Sequence, residues 1–167
     1  MDWARVPSFV LMGAGALLVV GFVLAHVGLL PLTADFGDER DLRVTDCSGT
    51  EKGQLTVGVA DTFAERYVGL SRTESLAEGE GLLFVYDEEG STNIGMRNMD
   101  FPLDVVFVSA AGEITRIETL DAPDSPVEYY LTYDSTSGPG RFVVETTAGW
   151  ADSHGASAGD CVRGLPE

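Results

Sequence analysis

The spacing of apolar positions changes character along this chain. From Val6 to Ala34 no Asp, Glu, Lys or Arg interrupts the run, and His26 is its one ionisable side chain. A helix rises about 1.5 Å per residue, so Phe9 to Leu32 would extend roughly 36 Å, more than the roughly 30 Å of a hydrocarbon core. The pattern therefore predicts a transmembrane helix that places residues 6–34 in the membrane. A cleaved secretory signal fits less well, because its apolar region is typically about 7–15 residues and ends at small residues of the A-x-A kind. Here the run leaves through Leu29-Leu30-Pro31-Leu32-Thr33-Ala34, which offers no such site.

Asp35 to Gly53 is polar and reads as a stalk. Strand periodicity begins after it, with Leu55-Thr56-Val57-Gly58-Val59 alternating in character. Thr62 with Glu65 three residues later forms a capping box and predicts a short helix ending near Gly69; Glu74 to Ala77 adds at most one turn. Gly81-Leu82-Leu83-Phe84-Val85-Tyr86 is an apolar run of strand length. Leu103 to Val108, the turn Ala110-Ala111-Gly112 and Glu113 to Leu120 read as a hairpin. Tyr129 to Tyr133 and Arg141 to Thr146 are further strands, Gly149 to Gly155 can hold a short helix, and Asp160-Cys161-Val162 can close the sheet. The expected fold is mainly β (α+β): a compact barrel-like domain of six to seven short strands with one or two short helices, preceded by one transmembrane helix. The segments are an anchor over 1–34, an acidic stalk over 35–53, the β-rich domain over 54–164 and a tail over 165–167.

Charge adds a constraint that the pattern lacks. The 167 residues hold 27 Asp and Glu against 10 Lys and Arg, a formal charge of -17. Residues 1–34 contain only Asp2 and Arg5, so the whole excess lies beyond the apolar run, where Lys52 is the only lysine. Such a surface suits near-saturated salt, where screening over about 3 Å or less removes self-repulsion. A halophile's solvated face explains these carboxylates better than a cation store. Nucleic acid is disfavoured as a partner, since approach to a phosphate would begin with repulsion. Basic residues near the apolar run, Arg5 on one side and Arg40 and Arg43 on the other, do not decide its orientation. Cys47 and Cys161 bracket the domain, as a disulfide in an oxidising compartment or as two free thiols. The former puts a single-pass protein in the cell membrane with its soluble domain outside.

Three blocks, in order, resemble the domain of unknown function 192 family over about residues 54–164. Gly69-Leu70-Ser71-Arg72-Thr73-Glu74-Ser75-Leu76 is similar to its G-L-M-x-R-x-x-L segment, and Gly81 to Tyr86 to its G-M-L-F-V-F strand. Met96-Arg97-Asn98-Met99-Asp100-Phe101-Pro102-Leu103-Asp104 is similar to its M-K-N-T-x-x-P-L-D stretch, and Gly159-Asp160 to its closing G-D. Ser71 stands for the usual Met, Thr73 for Arg, Arg97 for Lys, and Gly95 where a bulky aromatic often precedes the Met. Any pocket built by that aromatic and that arginine would be reshaped here. The resemblance implies a compact, mainly β, barrel-like fold in secreted or membrane-tethered proteins and no established activity.

The chemistry-bearing residues exclude more than they assign. His154 is the only histidine beyond the apolar run, which excludes a multi-histidine metal site and leaves one residue for any Ser/His/Asp triad. No G-x-S-x-G occurs, Gly13 and Gly15 lie in the apolar run, and Asp121, Asp124 and Asp134 lack the spacing of a calcium loop. No metal or cofactor is expected. The candidate ligand-binding set is Met96, Arg97, Asn98 and Asp104, because an Arg fork and an Asn amide suit a carboxylate or sugar hydroxyls. The competing reading is structural: Asn98 in a turn and Asp104 holding backbone N–H groups. Tyr129, Tyr130, Tyr133 and Trp150 could line a groove or simply pack. The sequence thus points to a membrane-tethered extracytoplasmic module that binds a small polar ligand or an envelope protein. Its alternatives are a glycan-directed hydrolase or lyase using Asp104 and Glu145, or a structural subunit of a membrane complex.

Overall fold

The computed structural model describes residues 15–23, 38–125 and 135–167. The chain divides into two units, 1–33 and 34–167. In the first, residues 15–23 are helical, with Leu17, Leu18, Val19 and Phe22 exposed. The rest of the predicted span, His26 included, lies outside the described residues. No helix among the described residues is long and apolar enough to cross a membrane.

The second unit is built on one sheet. Its elements are β1 Glu39–Thr45, β2 Glu51–Ala60, α1 Phe63–Val68, β3 Glu80–Gly95, β4 Leu103–Val108, β5 Ile114–Leu120, β6 Ser135–Thr147, α2 Trp150–His154 and β7 Cys161–Arg163. The strand order is β5-β4-β6-β3-β2-β1-β7. Among the described residues only β2 and β3 pair in parallel, and α1 lies in the crossover between them. The sheet curls until its two ends touch at one corner. There Glu113 bridges Cys161, the Ile114 N–H donates to the Asp160 carbonyl (2.8 Å), and the Val162 N–H donates to the Gly112 carbonyl (2.7 Å). The result is a half-barrel, mainly β with two short helices in this unit.

Strand alternation gives the sheet two apolar faces. The first cluster draws on every strand, with Leu42, Val57, Leu83, Val106, Ile114, Phe142, Val144 and Val162 among its members. It is therefore the interior of the half-barrel, and Trp150 and Ala151 of α2 join it. The second cluster uses the intervening positions, Leu82, Phe84, Leu103, Val105, Phe107 and Val143, and is roofed by Leu70, Ile94, Met96 and Met99. A strand buried on both sides reads as a continuous apolar run, which is why Leu103 to Val108 shows no alternation and is buried throughout.

Several boundaries differ from the sequence pattern. The segment 35–53 is not only a stalk: β1 lies within it and pairs with both β2 and β7. Leu42 and Val44 are buried there, and the charged Asp41 and Arg43 on the other face hide the period of two. β3 and β6 also run further than expected, as an antiparallel ribbon from Gly90↔Gly140 to Gly95↔Ser135 beyond a register shift after Val85. The polar, glycine-rich composition of that ribbon carries no hydrophobic signal. The strand expected over Tyr129 to Tyr133 lies outside the described residues. Cys47 and Cys161 form a disulfide, with Cα atoms 4.9 Å apart.

Candidate functional site

The strand register separates the sequence-predicted residues. Residues directly opposite one another in a ladder share a face. Asp104 is paired with Thr146 and Val105 with Glu145, so the two carboxyls leave opposite faces of the sheet. They cannot flank one glycosidic bond, which removes the geometry that a hydrolase built on that pair requires.

Asp104 belongs to the interior face and is 1 % exposed. One carboxylate oxygen accepts from the Thr119 hydroxyl (2.7 Å) and the other from the Ala151 N–H (2.9 Å). Gly149, at the N-cap of α2, has no side chain to offer. Asp104 caps that helix from a neighbouring strand, and its acceptors are spent on the fold. Asn98 adopts φ 54°, the left-handed region that Asn tolerates better than most residues. It shapes the turn closed by the Met99 N–H and the Met96 carbonyl. Met96 is 1 % exposed and packs in the outer-face core.

Asp104 borders a cavity of about 380 Å³ between β5 and α2, and Arg97 lines a separate one of about 120 Å³ on the outer face of the sheet. The Arg97 guanidinium donates to the Tyr67 carbonyl (2.5 Å) and lies 4.6 Å from the centre of the Tyr67 ring, so it ties the 96–99 turn to α1. On the same wall, Arg66 donates to the Asp61 and Val85 carbonyls and sits 5.1 Å from the Tyr86 ring centre. Leu70, Ile94, Met99 and Leu103 supply apolar lining, and Gly95 lies on the wall without a side chain.

Glu145 also lines this cavity, from β6. It is 5 % exposed, and its carboxyl has no hydrogen-bond or ionic partner among the described residues. Burial without compensation disfavours the charged form and pushes its pKa up to about 8. Burial likewise raises the Tyr86 phenol; Arg66 opposes that rise and Glu145 adds to it. At neutral pH the polar groups on this wall are therefore largely donors: a carboxylic acid, a phenol and guanidinium groups.

The sequence pattern left Arg66, Tyr67 and Tyr86 unassigned, since each sits in a recognised element with no chemistry attached to it. A signal for Glu145 was present. It is the one charged residue in Phe142-Val143-Val144-Glu145-Thr146, and a carboxyl embedded in a buried strand calls for a reason.

Comparison with known proteins adds the relatives of this architecture. The sequence profile of the uncharacterized ACR family DUF192 matches residues 44–164. A solved structure from Sinorhizobium meliloti 1021, a protein with a proposed assignment as a transcription regulator, is similar with a TM-score of 0.67 and 28 % identity, over 76 % of this chain and 94 % of that one. A protein of unknown function from Novosphingobium aromaticivorans DSM 12444 is similar with a TM-score of 0.58 and 30 % identity, over 74 % of this chain and 83 % of that one. No curated protein is a significant match.

Proposed function

The chain belongs to the DUF192 family, and from that premise we propose that it is a membrane-tethered extracytoplasmic module that binds a small polar ligand in the cavity around Glu145. The observation that carries the reading is Glu145 itself: a buried carboxyl facing a cavity with no partner among the described residues. Leaving such a group unmatched costs stability, and a ligand that hydrogen-bonds to it recovers that cost on binding.

The tether rests on the uncharged run from Val6 to Ala34 and on the exposed apolar side chains of residues 15–23. A placement outside the cell draws support from the disulfide, which persists in oxidising compartments. The charge of -17 fits a domain working in concentrated salt. The same charge speaks against carrying over to this chain the regulatory assignment of the Sinorhizobium protein, because duplex DNA would approach against a net repulsion.

The test uses the full-length chain in phosphatidylcholine nanodiscs and a panel of small polar compounds, with thermal unfolding as the readout. A ligand that binds only the folded state, at 100 times its Kd, adds about 2.7 kcal/mol and raises Tm. The rise should vanish in Gly95→Trp, which fills the cavity wall with an aromatic ring. If no compound raises Tm, or Gly95→Trp responds as the parent does, the cavity is not a ligand site.

A further inference from the structure

We infer that this cavity takes the head group of a short aliphatic monocarboxylate and that binding is coupled to a proton held on Glu145. The inference rests on the reading of the cavity as a ligand site and names its ligand. Three features of the wall select that chemistry.

The first is the donor set. Arg66 and Arg97 are fixed donors, Tyr86 adds a hydroxyl, and Glu145 has no partner for its own proton among the described residues. A ligand rich in acceptors matches them, whereas an amine would meet two guanidinium groups. Several guanidinium N–H groups are already committed to the carbonyls of Asp61, Val85 and Tyr67. The Arg66 guanidinium, with Nη1 committed to the Asp61 and Val85 carbonyls, suits a single negative charge better than a phosphate dianion. The surrounding charge of -17 tilts the same way, since each further negative charge on a ligand adds repulsion.

The second feature is the apolar part of the wall. Leu70, Ile94, Met99 and Leu103 offer a hydrocarbon chain an apolar surface, while Ser71 and Asn93 add polar groups elsewhere on the wall. The third is size. A cavity of about 150 Å³ accommodates benzene, so the 120 Å³ here holds a ligand of about six non-hydrogen atoms. Butyrate has that size.

A carboxylic acid and a carboxylate bind one another through a single shared proton, but two carboxylates repel. Binding should therefore require the protonated form of Glu145. The other charged or titratable groups on the wall are Arg66 and Tyr67 from α1, Tyr86 from β3 and Arg97 from the 96–99 turn. Tyr86 is raised from an ordinary phenol value by burial, so it keeps its proton throughout the range in which Glu145 titrates. With Glu145 at about 8, the competent fraction falls from nearly all at pH 6.5 to a few per cent at pH 9.5, and apparent affinity for butyrate falls about thirtyfold.

The experiment is a titration of sodium butyrate onto the full-length chain in phosphatidylcholine nanodiscs at both pH values, read by ligand-observed NMR, with butylamine and inorganic phosphate as parallel probes. Glu145→Gln keeps a donor of the same shape and cannot titrate. Expected are butyrate binding at pH 6.5, a large fall at pH 9.5, and pH-independent binding in Glu145→Gln. Equal affinity at both pH values, or an undiminished fall in Glu145→Gln, overturns the proton coupling. Butylamine or phosphate binding in place of butyrate overturns the carboxylate assignment and leaves the cavity standing as a ligand site. Failure of every probe, with Gly95→Trp indistinguishable from the parent, removes the inference and the ligand site together.

Discussion

Two acidic residues that look alike in the sequence end in opposite circumstances. Asp104 is saturated by Thr119 and Ala151, and Glu145 is buried with no protein partner among the described residues. The first is structural by its bonds. Asp104→Ala would strand the Ala151 N–H and the Thr119 hydroxyl and should cost about 2 kcal/mol, measured by urea unfolding, while butyrate binding by the folded protein stays as in the parent. The motif around Pro102 was legible in sequence, but its meaning was not. Asn98 is there for a backbone angle and Asp104 for a helix terminus, roles that depend on strand register and on which distant N–H arrives nearby. Gly81 illustrates the same limit, since a Cβ there would run into the Glu145 carbonyl across the ladder. Such a requirement is visible only once β3 and β6 are paired.

Among the elements, α1 carries more than its length suggests. It is six residues long and brings Arg66 and Tyr67 to the cavity wall. An isolated helix that short does not persist in water, so its ends matter. Thr62 accepts from the Glu65 N–H (3.2 Å), and the Glu65 carboxylate accepts from the Thr62 N–H (2.9 Å), the reciprocal arrangement expected from the sequence. Those hydrogen bonds hold the Glu65 carboxyl below its usual range. Thr62→Ala should cost about 1 kcal/mol and speed amide exchange in residues 63–68, as read by hydrogen–deuterium exchange. Local signals of this kind made α1, α2 and the β4–β5 hairpin legible. β1 and the outer ends of β3 and β6 were hidden because charged, Gly and Ser positions there carry little hydrophobic contrast.

Taken whole, the second unit is held closed by contacts between sequence extremes. β7 pairs with β1, Lys52 bonds the Asp160 carboxylate (2.6 Å) and the Gly155 carbonyl (2.7 Å), and the disulfide spans a separation of 114 residues. Burial alone would raise the Asp160 carboxyl, but the hydrogen bonds from Lys52 and Ser157 outweigh it and hold the group low. Replacing Cys47 and Cys161 by Ser should lower stability by about 5 kcal/mol on the chain-entropy account, seen as a drop in the urea midpoint with a steeper slope, because the unfolded chain becomes less compact. The corner where Glu113 meets Cys161 also sets an order on assembly. Its last strand, β7, follows every other described strand in chain order, so the curl cannot shut until β7 has been made. Until then β1 has a free edge, and a free edge is a template for another copy. A chain cut short before Cys161 should therefore fail by strand exchange between molecules rather than by simple loosening.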